Sequence, residues 1–266
     1  MLSFESLIDQ AKSRGMPTTK MRGILREYLQ ILILKELYKT KSGKKLYFTG
    51  GTYLRLAHEL KRFSEDLDFN TKDLSQDEFE QLMEMISKEL KRAGIKSKVE
   101  FSHWENLFVA KLIFRDIEAN YNIQSKYSKK SGIIIKIETN KPKWKIIKES
   151  QVISGFGQFF PCLCTDKSIL FADKIDALIK KNRARHIYDI IFMLSNKYPI
   201  EKQLLMIYGV KTSPSDAIKN RISNFSNTEL KKYAETLRPF LFDENEADLI
   251  INAKQFIPLL IEKYDK

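Results

Sequence analysis

The run Arg62-Phe63-Ser64-Glu65-Asp66-Leu67-Asp68-Phe69 holds two aspartates two positions apart. On a strand such residues point the same way, so Asp66 and Asp68 share a face while Leu67 and Phe69 enter the core. Two carboxylates side by side repel each other unless a positive charge stands between them. A divalent cation such as Mg²⁺ or Mn²⁺ meets that demand, taking one or two carboxylates plus phosphate oxygens of a substrate. The simpler alternative is a solvated acidic edge, which many folds carry. Upstream, Tyr47-Phe48-Thr49 runs into Gly50-Gly51-Thr52. Glycines let the backbone approach a ligand, and a helix starting at the hydroxyl residue offers free N–H groups and a positive dipole end. That combination is a usable triphosphate cradle, although taken alone it reads more simply as an ordinary strand-to-helix turn. It is not a Walker loop, because no Gly-Lys-Ser/Thr follows at the required spacing.

These residues need an ordered scaffold, and the pattern supplies one. Met21, Ile24, Leu25, Tyr28, Leu32 and Leu37 recur at helical spacing between Thr18 and Leu37, with Pro17 before them and Ser42-Gly43 after. A short strand at Leu46–Thr49 then leads through the glycines into a helix reaching about Lys61. The next strand carries Asp66 to Phe69. Ser75 is an N-cap for a helix from Gln76 to Ala93, with Asp77 and Glu78 in its first turn and Gly94 as its stop. Strand-like runs follow at Lys98–Phe101, Leu107–Phe114 and Ile133–Thr139. Gly155, Gly157 and Pro161 interrupt the segment after Gln151. Beyond Asp166 the pattern is helical, broken at Asn196–Pro199, Thr212–Pro214 and Phe225–Asn227. The expectation is an α+β (mixed α/β) chain: residues 1–164 as a small mixed sheet flanked by helices, then residues 165–266 as a helical bundle.

A Gly-Gly-Thr turn, one helix and an Asp-x-Asp strand, in that order, resemble the polymerase-β-type nucleotidyltransferase superfamily. More narrowly, Gly50-Gly51-Thr52 with Arg62 through Phe69 is similar to the first motif of the AbiEii-type toxins of type IV toxin–antitoxin systems. The resemblance implies a nucleotidyltransferase domain followed by a helical one, and a third carboxylate on a later strand. Glu138 in Ile133-Ile134-Ile135-Lys136-Ile137-Glu138-Thr139 is the candidate. An acid in so apolar a strand needs a reason, because an unpaired buried charge is costly. A shared metal is one reason, and a strand-surface pair with Lys136 is the other. The family also carries a lysine helix followed by a basic pair and an aspartate. Lys174, Arg183, Arg185 and Asp189 match these, while His186 stands where the family has Asp.

The resemblance thus implies transfer of an NMP from an NTP to a hydroxyl. Asp66 and Asp68 would hold Mg²⁺ or Mn²⁺ on the triphosphate, and Glu138 would complete a second metal site. Gly50, Gly51, Thr52 and Ser64 would contact the nucleotide. Lys174, Arg183 and Arg185 would neutralise the leaving pyrophosphate, and Asp189 would orient one of those cations or act as a further acid. It also implies an RNA acceptor, particularly a tRNA 3′ end, and a cognate antitoxin. A small-molecule acceptor, or a non-catalytic RNA- or partner-binding protein keeping the fold, are the other readings. A phosphohydrolase would leave the glycine turn and Lys174 without a role.

The balance of 46 Lys+Arg against 34 Asp+Glu gives a net charge of +12, which favours encounter with polyanions. Lys126, Lys129, Lys130, Lys136, Lys141, Lys143, Lys145 and Lys148, interleaved with Tyr127 and Trp144, form a lysine-rich stretch around Glu138 suited to RNA contact. The alternative for that stretch is a solvated hairpin. Cys162 and Cys164, the two cysteines, are spaced for packing on one strand face rather than for zinc. No apolar run approaches membrane-spanning length, and Met1 to Glu5 begins no signal peptide, so a cytoplasmic protein with no membrane role is expected.

Overall fold

The computed structural model describes every residue except 122 and 124–131, so Lys126, Tyr127, Lys129 and Lys130 lie outside the described residues. The chain divides into two compact units, Met1–Glu59 with Phe63–Thr165, and Leu60–Arg62 with Asp166–Lys266.

In the first unit, helices α1 (Phe4–Ser13) and α2 (Met21–Tyr38) precede strand β1 (Tyr47–Thr49) and helix α3 (Gly50–His58). Strand β2 (Leu67–Asn70), helix α4 (Gln76–Arg92), and strands β3 (Lys98–Trp104), β4 (Leu107–Phe114) and β5 (Ile133–Asn140) follow. The hairpin of β6 (Lys148–Gly155) and β7 (Gln158–Thr165) completes it. The seven strands form one mixed sheet in the order β3-β4-β5-β2-β1-β7-β6, with β2/β5 and β1/β7 parallel and the other pairs antiparallel.

Two of those strands are not legible in the sequence. Gly155 and Gly157 interrupt the hydrophobic pattern because they flank the tight β6–β7 turn, where Phe156 and Gly157 both take positive φ. Pro161 stands opposite Val152 of β6, away from the single β1–β7 register pair at Phe48 and Cys164, where alternation along the hairpin asks no ladder hydrogen bond of its nitrogen. Cys162 and Cys164 are free, buried and on β7, as expected for packing residues.

Helix α2 is buried nearly all round, through Ile24, Leu25, Tyr28, Leu29, Ile31, Ile33, Leu34 and Leu37, and packs against β5, β6, β7 and α4. Each such side chain removed from water stabilises the fold by about 1.5–3 kcal/mol. Helix α4 starts with a full capping box between Ser75 and Glu78. Phe48 packs on Phe69 and Tyr53 at 5.4 and 5.6 Å between ring centroids, joining β1, β2 and α3. In β5, Ile133, Ile135 and Ile137 are buried in the core. The alternate residues Ile134, Lys136 and Glu138 lie on the opposite, more open face.

The second unit is helical: α5 (Lys167–Lys180), α6 (Ala184–Ser195), α7 (Lys202–Ile207), α8 (Pro214–Ser223), α9 (Asn227–Leu237), α10 (Asp248–Ile251) and α11 (Ala253–Asp265). Side-chain caps open several of these helices. Asp166 caps α5, Ser213 with Pro214 opens α8, and Ser226 forms a capping box with Glu229. Leu60–Arg62 joins this unit through a bridge between Arg62 and Leu241 and through the Phe242 N–H, which donates to the Lys61 carbonyl at 3.0 Å. No helix among the described residues is long and apolar enough to cross a membrane.

Candidate functional site

The sheet register brings the expected carboxylates together. Thr49 of β1 pairs with Asp68 of β2, and Asp68 pairs with Glu138 of the parallel neighbour β5. Asp66 lies one residue before β2. Leu67 and Phe69 are fully buried, so the alternation turns Asp66 and Asp68 to the other face, where both are half-buried.

Gly50 sits against Asp68. Its φ is +81°, and a Cβ there would lie 2.2 Å from Asp68 Oδ2 and 2.9 Å from Cγ. Glycine is required twice over, by its backbone conformation and by the carboxylate pressed against it. Helix α3 starts at this point with no side-chain cap. Thr49, its N-cap residue, is buried, and its hydroxyl has no hydrogen-bond partner among the described residues. Gly51 and Thr52 are buried, and the Thr52 hydroxyl donates to the Asp66 carbonyl. Thr52 therefore fixes the aspartate loop with its side chain, and the first-turn backbone N–H groups remain the anion donors of this helix. The carbonyls of Ser64 and Glu65 accept from Gln30 Nε2 at 3.1 and 3.0 Å, and Arg26 donates to Glu65 at 2.9 Å. The loop entering β2 is thus held from α2.

Lys136 stands among the carboxylates. Its Nζ lies 3.1 Å from Glu138 Oε2 and 3.7 Å from Asp66 Oδ2. Burial pushes the Lys136 ammonium down, but Asp66, Glu138 and Asp68 more than offset this and hold its pKa above the ordinary lysine value. No group of three His, Cys, Asp or Glu residues among those described is arranged to hold a metal ion. The donor chemistry nonetheless fits a hard divalent cation: half-buried carboxylate oxygens, with the partnerless Thr49 hydroxyl one register position away.

In the second unit Asp189 is fully buried and accepts both Arg62 nitrogens, Nε and Nη2, at 2.8 Å and Lys174 Nζ at 2.7 Å. Burial pushes the Asp189 pKa up, yet Arg62 and Lys174 win and hold it below the usual carboxylate range. Lys174 and Asp189 are therefore brought together, and Arg62 joins them. Arg62 opens the Arg62–Phe69 stretch that carries the family resemblance, but the sequence assigned it no role and gave no sign of a partnership with Asp189. His186, one turn before Asp189, is buried with neither ring nitrogen hydrogen-bonded among the described residues. Burial, with Lys174 nearby, pushes its pKa down to about 3. Arg183 is exposed at the uncapped start of α6, and Arg185 is half-buried.

Residues 32–255 match the family model described as nucleotidyl transferase AbiEii toxin, type IV TA system. The chain belongs to this family. The sheet flanked by helices and the helical part that follows are also those of solved nucleotidyltransferase structures. MenT4, the nucleotidyltransferase toxin Rv2826c of Mycobacterium tuberculosis H37Rv, is 15% identical, with TM-score 0.55, over 98% of this chain and 99% of that one. JHP933 of Helicobacter pylori is 17% identical, with TM-score 0.55, over 92% of this chain and 94% of that one. A further solved structure from H. pylori is 19% identical, with TM-score 0.54, over 92% of this chain and 96% of that one. No curated protein matches the chain.

Proposed function

We propose that this AbiEii-family chain is a metal-dependent nucleotidyltransferase that moves an NMP from an NTP to a hydroxyl at an RNA end, a tRNA 3′ end foremost. One observation carries the reading. Asp68 lies against Gly50 at the uncapped start of α3 and in register with Glu138, so anion donors and hard-cation ligands come together on the central strands β5, β2 and β1.

Asp66, Asp68 and Glu138 would hold Mg²⁺ or Mn²⁺, which supplies Lewis-acid charge on the triphosphate and lowers the pKa of the attacking hydroxyl. The acceptor oxygen forms a bond to the α-phosphorus. The bond from that phosphorus to the oxygen bridging to the β-phosphate breaks, and pyrophosphate leaves. The backbone N–H groups of Gly50, Gly51 and Thr52 bind the β- and γ-phosphates, and the loop at Ser64 borders the nucleotide. Arg183 and Arg185 offer charge to the leaving pyrophosphate. Lys174 is proposed for the same charge, with Asp189 as the residue that orients it.

The net charge of +12 and the lysines Lys141, Lys143, Lys145 and Lys148 after β5 support a polyanionic acceptor. The type IV toxin family supports a cognate antitoxin as protein partner. Incubating the chain with Mg²⁺, each α-³²P NTP in turn and total RNA tests the reading. Labelled RNA with one preferred nucleotide, abolished in Asp66→Ala, is expected. Unlabelled RNA with every nucleotide, or undiminished labelling by the variant, would defeat the RNA reading. Label appearing only on a small hydroxylated molecule would move the acceptor to that class.

A further inference from the structure

We propose that Lys136 takes the place of one of the two cations expected at this site, so that the carboxylates Asp66, Asp68 and Glu138 accept one divalent ion rather than two. The inference rests on the metal-dependent reading above and sharpens its metal count.

The geometry carries it. Lys136 and Glu138 alternate on the same face of β5, and Glu138 is in register with Asp68. The Lys136 ammonium bridges Glu138 Oε2 at 3.1 Å and Asp66 Oδ2 at 3.7 Å, which joins the third carboxylate to the first. A Mg²⁺ ion at a carboxylate needs contact near 2.0–2.1 Å. An ion seated between Glu138 and Asp66 would therefore lie within a few ångströms of a lysine charge, an unfavourable like-charge contact in a half-buried site.

Formal charge agrees. Three carboxylates carry −3, Lys136 brings the set to −2, and one divalent cation neutralises it. Without Lys136 the set holds −3, so one divalent cation leaves a residual −1 that can attract a second ion. The ammonium is tethered through its own strand, so its charge is present before any ligand arrives and costs no search. Glu138 then has two tasks: it holds Lys136 in place and, with Asp66 and Asp68, supplies negative charge to the single ion.

Mn²⁺ binding to the full chain, counted without nucleotide from the loss of the free-ion paramagnetic resonance signal, tests this. One Mn²⁺ per chain is expected for the wild type, two for Lys136→Met and one for the charge-preserving Lys136→Arg. Thermal melts establish that each variant is folded, and Lys136→Arg keeps the count decisive if Lys136→Met melts early. Two ions in the wild type, one ion in a folded Lys136→Met, or two in Lys136→Arg would overturn the proposal. No Mn²⁺ in the wild type would overturn it together with the metal-dependent reading. Labelled RNA alongside two wild-type ions would leave the reaction standing and remove the single-cation site alone.

Discussion

Two clusters of opposite charges, one in each unit, show how the same residue types serve different ends. In the first unit Asp66, Lys136 and Glu138 keep 29%, 32% and 26% of their side-chain surface exposed, and the lysine is outnumbered by carboxylates. In the second unit Asp189 is fully enclosed with Arg62 and Lys174, so that two cations meet one carboxylate. The first cluster has surplus negative charge near water, which suits an exchangeable cation. The second is nearly closed to solvent, with only 10% of the Lys174 side chain exposed, and its charges meet one another at hydrogen-bond distance. An open, unbalanced set is suited to ligand chemistry, whereas a closed, hydrogen-bonded set holds elements in place.

Substitutions that treat the clusters alike should give unlike results. Asp189→Asn should have the largest effect on folding, about 3–5 kcal/mol, because it strands the buried Arg62 and Lys174 charges. Urea denaturation checks this, and a loss below 1 kcal/mol would show that the enclosed cluster is not a structural clamp. Asp68→Asn should lower nucleotidyl transfer by about 10³-fold. The same change should leave stability within about 0.5 kcal/mol, since it relieves repulsion among Asp66, Asp68 and Glu138. A large loss of stability with residual activity would reverse the assignment of the two clusters.

Gly50→Ala should cost about 1–3 kcal/mol through the positive φ and the 2.2 Å approach to Asp68. Its activity should fall with it, because the nearest atom it displaces belongs to the carboxylate. Gly15→Ala, also at positive φ but in open space, is the control that isolates the backbone part of this cost.

A pH dependence within the second unit separates two of its buried groups. His186, with its pKa pushed down to about 3, is neutral in the folded state and takes up a proton on unfolding below pH 6.5. Its contribution to stability is present above pH 6.5 and is lost as pH falls towards 3. Asp173 runs the other way. Burial raises its pKa to about 6 despite the Tyr208 hydroxyl that donates to it, so the folded state gains stability as pH falls from 6 towards 3.8. Each slope is at most about 1.4 kcal/mol per pH unit. The two oppose each other between pH 6 and 4. His186→Asn should therefore unmask a gain of stability on acidification, and Asp173→Asn a loss. Denaturation midpoints that shift identically in both variants would contradict the pairing.

Much of the site was legible because its residues are close in sequence. Gly50-Gly51-Thr52 and Asp66-Leu67-Asp68 are separated by one helix, and strand alternation alone turns the aspartates to one face. The capped helices α4, α8 and α9 were legible for the same local reason. The β6–β7 hairpin was not, because its glycines and Pro161 look like loop residues until a partner strand is known. The buried Asp189 was matched as a motif position, but nothing near Arg62 announced that it would reach across 127 residues to that carboxylate.

The sequence by itself determined the order of elements, the faces of the strands and the charge balance, because periodicity and capping are properties of neighbouring residues. Only the tertiary structure decided the register that sets Asp68 beside Glu138, the ammonium of Lys136 between Glu138 and Asp66, and the enclosure of Asp189. Those depend on pairing between strands and helices far apart in the chain, and on how much water the packing leaves. A carboxylate left near water is open to a ligand, whereas an enclosed one is tied to its neighbours, and burial makes the difference.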